Sequence, residues 1–80
     1  DIEGNELVFY PNPFKDVVYS NVNLEEYEVE VYDALGRRMK ILNKTNFSLE
    51  FQHTSGLYFI TIGYSFLNLL GKYLILGIMH

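Results

Sequence analysis

The sequence contains no cysteine, so it builds neither a disulfide framework nor a thiolate metal site. That absence does not fix a compartment, since exported bacterial domains can do without disulfides. Basic residues are scarce, six against ten acidic, and only "GRRMK" (residues 36–40) groups three of them. A chain of net charge −4 with no basic patch is poorly suited to nucleic acid, whose binding displaces counterions from phosphates. The leading "DIEGNELVFYPNP" lacks a basic region followed by an apolar stretch, so it does not read as a signal peptide. No stretch has the periodicity of an amphipathic helix, and there is neither an internal repeat nor a low-complexity segment. The only two prolines, Pro11 and Pro13, stand two residues apart just ahead of an alternating apolar run.

Eighty residues suffice for one domain. So short a chain buries roughly 60% of the surface it exposes when unfolded, which demands a dense core. Composition supplies one: 49% of residues are hydrophobic, and seven Tyr and six Phe favour strands. Disorder, which needs low hydrophobicity and high net charge, is excluded.

Short alternating or apolar blocks follow one another between turn residues. "ELVFY" (6–10) is a first strand, interrupted by "YPNP" because proline donates no hydrogen bond and biases Tyr10 and Asn12 towards extended geometry. "DVVYS" (16–20) resumes as the second strand, and "NVNLEEYE" (21–28) is a polar connection compatible with one helical turn. In "YEVEVYD", Val29 and Val31 share a buried face while Glu28, Glu30 and Tyr32 share a wet one. "DALG" (33–36) reads as a type I turn, with Asp33 bonding the backbone ahead and Gly36 supplying positive φ. "RRMKIL" (37–42) is the return strand of that hairpin, "NKTN" (43–46) a loop and "FSLEF" (47–51) a further strand. After the turn "QHTSG" (52–56), "LYFITI" (57–62) is apolar on both faces and suits a central strand. "GYSFLN" (63–68) is ambiguous, and "KYLILGI" (72–78) closes the chain. About seven short antiparallel strands at such spacings indicate an all-β, immunoglobulin-like β-sandwich.

Three stretches stand in a particular order: "YPNPF" (10–14), "VEVYDALGRRM" (29–39) and "SGLYFITI" (55–62), followed by "GKYLI" (71–75). Together they resemble the C-terminal sorting domain of the type IX secretion system, the Por-type export signal of the Bacteroidota lineage. The likeness covers roughly residues 7–75, and order and spacing carry it rather than any one motif. It implies that Pro11, Asn12 and Pro13 stiffen the lead-in so that the module presents a defined edge. It also implies that Gly36 and Arg37 occupy the family's turn, and that Ser55 and Gly56 set the turn before the core strand holding Tyr58. Lys72 matches the lysine that commonly begins the final strand, and Lys72, Tyr73, Leu74 and Ile75 form the expected contact strand. Family members usually finish with a short strand and a basic residue, whereas this chain continues "LGIMH".

The resemblance implies a targeting role. Residues 1–6 would be a linker to an upstream cargo domain, and residues 7–80 the sorting domain itself. The partners implied are the type IX translocon and the outer-membrane sortase complex, with the product secreted or held at the cell surface. A sortase-type peptidase would cut near residues 1–5, so the module would be a substrate and not an enzyme, with no cofactor. Exposed strand edges also open a route to self-association.

Sharper readings of single residues fare less well. His53 and His80 have no second imidazole or patterned carboxylate beside them, and Ser55 beside His53 is a solvated turn rather than a nucleophile and base. Glu25, Glu26, Glu28 and Glu30 cluster, with Glu28 and Glu30 about 7 Å apart on one strand face, but nothing marks a sugar cleft or a calcium loop. Asn43 and Asn46 begin N-glycosylation sequons and mark surface loops. Residues 57–79 carry one charge, Lys72, and approach the ~20 residues of a membrane helix. Four glycines from Gly56 to Gly77 and two β-rich blocks favour core strands instead, with an aggregation hazard should they fray. The competing functions are a fibronectin-like or carbohydrate-binding accessory domain, with Tyr19, Tyr27 and Tyr32 as exposed aromatics, and a membrane tether through the tail.

Overall fold

Alternation of buried with less buried side chains builds the strands that line the core, most plainly Val18–Ser20, Glu28–Asp33 and Ser48–Phe51. The computed structural model describes residues 6–65 and 68–79. Its strands are β1 (Phe9–Tyr10), β2 (Val18–Ser20), β3 (Glu28–Asp33), β4 (Ile41–Lys44), β5 (Ser48–Phe51), β6 (Gly56–Ser65) and β7 (Asn68–Gly77). They form two sheets, ordered β1-β2-β5-β4 and β3-β6-β7, with antiparallel neighbours throughout. This is the strand order of the constant-type immunoglobulin sandwich, and the all-β expectation holds. Val18, Leu49 and Phe51 from one sheet meet Val31, Ile60, Ile62 and Ile75 from the other in a shared core. The expected division of β3 is present, with Val29 and Val31 buried and Glu28 exposed.

Three readings of the sequence need correction. "NVNLEEYE" is not simply a polar connection: it lines the core with Val22, Leu24 and Tyr27 all buried, the Leu24 N–H donates to Asn46 O at 2.6 Å, and Tyr27 N–H closes a single turn on Leu24 O at 3.1 Å. "RRMKIL" is not a full return strand beside β3. Only residues 37–39 stay there, through Asp33 N–H to Arg37 O (2.8 Å), Met39 N–H to Val31 O (2.8 Å) and one bridge between Tyr32 and Arg38. The chain then crosses to the opposite sheet, where Ile41 pairs with Phe51. Within "NKTN", Asn43 and Lys44 belong to β4 rather than to a loop.

The tail forms β6 and β7, a long antiparallel pair with β6 central in its sheet, as its composition suggested. Its outer face is not covered, however: Leu57 and Leu74 are about half exposed. No described helix is long and apolar enough to cross a membrane. Of the ambiguous "GYSFLN", residues 63–65 end β6 and Asn68 opens β7. Phe66, Leu67, His80 and residues 1–5 of the expected linker lie outside the described residues.

Candidate functional site

Three of the four motifs singled out in the sequence converge on one end of the sandwich. At "DALGR" the Asp33 carboxylate organises its own turn: Oδ1 accepts the N–H groups of Leu35 (3.0 Å) and Arg37 (2.8 Å), and Oδ2 accepts Arg37 Nε–H (2.6 Å). Partial desolvation pushes this carboxyl up, but the Arg37 and Leu35 hydrogen bonds and the guanidinium charge outweigh it and hold the group below its ordinary value. Gly36 closes the turn at φ 85°, a conformation that side chains with a Cβ rarely adopt.

Asp33 pairs with Tyr58 across the β3–β6 ladder, which brings the second motif alongside. The Tyr58 hydroxyl donates to Thr54 O (2.9 Å) and accepts the Thr54 N–H (2.8 Å). A tyrosine near the start of the sixth strand that bonds back to the preceding corner is the tyrosine corner of immunoglobulin sandwiches. "SGLY" is therefore a fold-fixing device: Ser55 and Gly56 make the corner, and Tyr58 locks it. The two turns flank a shallow cavity of about 180 Å³ lined by Asp33, Arg37, Ser55, Gly56 and Tyr58 among others. Ser55 Oγ also accepts the Met79 N–H at 2.9 Å, tying the corner to the chain beyond β7.

The proline motif arrives from the other side as a strap. Phe14 is fully buried, packed at 5.2 Å (ring centroids) against Phe51 and 4.7 Å against His53, and edge-on to Tyr58. Its main chain forms a parallel bridge with Gly77: Phe14 N–H donates to Leu76 O (2.9 Å), and Ile78 N–H donates to Phe14 O (2.8 Å). Asn12 adds its side chain, with Oδ1 accepting the Leu76 N–H at 3.0 Å. Pro11 and Pro13 are exposed, and both prolyl bonds are cis. The contact is close at Gly77, where a Cβ would lie 3.1 Å from the Phe14 and His53 rings and would make them shift.

The expected contact strand divides by face. Lys72 and Leu74 look outward from β7, and the Lys72 ammonium lies 4.5 Å above the Phe59 ring. Ile75 is core, and Tyr73 packs edge-on against Phe9 at 5.5 Å. Lys72 pairs with Thr61, about 16 Å along β6 from Gly56, and so stands apart from the motif end.

Other candidates disperse. His53 belongs to the Phe14, Phe51 and Tyr58 cluster rather than to a site with Ser55; its Nδ1 lies 3.2 Å from Phe51 O, and its buried Nε2 has no partner among the described residues. Glu30 is not simply solvated: it accepts the Tyr32 hydroxyl (2.7 Å), which raises the Tyr32 pKa, and it faces Arg38 at 3.5 Å. Among the described residues no three of His, Cys, Asp and Glu group as metal ligands. Tyr19, Tyr27 and Tyr32 share no face. Tyr19 stands exposed beside Tyr10 on one sheet, Tyr32 is on the other, and Tyr27 is buried against Tyr64. Sequence reasoning missed Phe14, Asn12 as a hydrogen-bond acceptor, and Gly77 and Ile78. The only signal was "LGI" itself, apolar residues around a glycine within the expected last strand and just past the expected contact residues 72–75.

Comparison with known proteins agrees with the motif order. A family model described as a secretion system C-terminal sorting domain matches residues 8–75. No curated protein and no solved structure matches the chain.

Proposed function

The chain belongs to the family of type IX secretion C-terminal sorting domains, and from that premise we propose that it is read by the outer-membrane translocon as the address of a cargo domain in the same chain. The cargo crosses the periplasm and outer membrane with it, and a sortase-type peptidase then removes the module by cutting near residues 1–5. The module is substrate and ligand in this reading, and its work is to present a shape.

One observation carries the reading. Three motifs distant in sequence, "PNPF", "DALGR" and "SGLY", meet at one end of the sandwich, where they fix the turns and clasp the end of β7. What gathers there is a set of main-chain bonds around an aromatic cluster, which makes a rigid recognition surface. Extended-strand recognition, in which backbone pairing gives affinity and alternate side chains give specificity, suits a sheet edge that this end holds in place.

A periplasm-directed fluorescent reporter joined to residues 1–80, in a host with a working type IX system, tests it. Reporter at the surface or in the medium, lost when the translocon is disrupted, is the expected result. Reporter held in the periplasm with the translocon intact overturns the reading.

A further inference from the structure

Strand β7 is an edge, and only part of that edge is closed. Main-chain groups in a strand point alternately to its two sides. Leu76 and Ile78 spend theirs on the strap, so they face away from β6. The β6–β7 register is unbroken from Gly71 to Gly77, so Lys72 and Leu74 face the same way. No described residue outside the ladder bonds their N–H and C=O groups. The other edges are managed differently. β1 has two residues, β4 has four and a bulge, and β3 is partly covered by residues 37–39. Short, bulged or covered edges are the usual guard against strand addition, and β7 lacks it along its upper half.

The strap shows that this edge accepts a strand and also where pairing stops. Phe14 pairs with Gly77 as one residue of a parallel strand, and then the chain leaves. At the next paired position Asn12 offers its side chain in place of its carbonyl. Pro11 and Pro13 bring no N–H, so the strap does not template a further strand on its own outer side.

We propose that the outward main-chain groups of Lys72 and Leu74 receive an extended strand of the export machinery, which becomes the fourth strand of the β3-β6-β7 sheet, and that Asn12 and Phe14 fix where this strand ends. The proposal rests on the sorting function above. The added strand carries apolar residues at alternate positions, facing the uncovered stripe of Leu57, Phe59 and Leu74. A second copy of the chain fits less well: antiparallel self-pairing centred on Tyr73 sets two Lys72 side chains on one face about 7–8 Å apart.

The test compares three reporter fusions to residues 1–80 in the type IX host: wild type, Leu74→Ala and Leu74→Pro. Proline at Leu74 removes an outward N–H and leaves the β6 ladder bonds in place, whereas alanine removes only the side chain. The expected result is a surface signal about tenfold or more lower for Leu74→Pro than for Leu74→Ala, at similar unfolding temperatures of the purified fusions. Equal export of the two variants overturns edge pairing, whether both pass or both fail, while wild-type export keeps the sorting function standing. Wild-type reporter retained in the periplasm overturns both. If Leu74→Pro fails to fold, amide exchange decides: the Lys72 and Leu74 amides of the wild-type fusion become protected on binding the solubilised translocon. No protection overturns the proposal, as does protection that rises with concentration in the fusion alone, which assigns the edge to a second copy.

Discussion

Asp33 concentrates more hydrogen bonds than any other carboxylate described, and its electrostatics make a testable consequence at the scale of one residue. Its side chain is largely shielded by its own turn although the turn lies at the molecular surface, and the Arg37 guanidinium beside it is open to solvent. The ion pair itself is therefore worth little, and the main-chain bonds dominate. Because the folded-state pKa is lowered, the contribution is complete above the ordinary carboxylate pKa and is lost as pH falls through the lowered value. The expected outcome is that Asp33→Asn lowers the thermal midpoint at pH 7 and that the gap to wild type is smaller at pH 2. Melting curves at the two values check it, and a gap that stays constant would assign the loss to the shape and hydrogen bonds of the Asp33 side chain rather than to its charge. The neighbouring Tyr58 hydroxyl satisfies both main-chain groups of Thr54, and neither bond is visible from "SGLYF" alone.

At the scale of elements, the strap is what the fold adds to the sequence. The fully buried Phe14 fills the space between the sheets beside Phe51, whereas Asn12 makes one exposed hydrogen bond. The expected order of damage follows: Phe14→Ala costs about 3–5 kcal/mol, and Asn12→Ala about 0.5–1.5 kcal/mol. Against a total of about 4–12 kcal/mol for a domain of this length, the first leaves a marginal protein and the second a folded one. Urea unfolding of both variants checks the order, and a larger loss at Asn12 would mean that the strap is held by its hydrogen bond rather than by its ring. The strands were legible because alternation reports which side chains face a core. Alternation is silent about which sheet a strand joins, and this is why "RRMKIL" read as a hairpin return. Met39 and Ile41 pack against the same core from either side of the crossing, so the pattern runs on unbroken while the chain changes sheets. The prolines were equally legible as punctuation, but the partner of Asn12 lies 64 residues away, beyond any local pattern. Likewise Lys72 and Ile75 stood together in one motif, and only the pleat separates the outward lysine from the core isoleucine.

At the scale of the whole molecule, β7 is both the candidate recognition strand and one third of a sheet, so its two roles need separating. Ending the chain at Gly71 removes Ile75 from the core and takes Leu76, Gly77 and Ile78 from the strap, which leaves Phe14 with no main-chain partner. It also opens β6 as an edge from Gly56 to Thr61: residues 57–71 carry no charge and are rich in β-branched and aromatic side chains, the composition of a segment prone to stacking. The expected outcome is that residues 1–71 show no cooperative thermal transition and bind a hydrophobic dye, whereas residues 1–80 melt cooperatively. Loss of export on truncation then follows from the loss of the sandwich, and it says nothing about which surface the translocon reads. A cooperative melt for residues 1–71 would reverse that inference. Strands β1–β6 with the start of β7 would then be a self-sufficient scaffold, and any export defect of the truncation would belong to recognition of the residues from Lys72 onward.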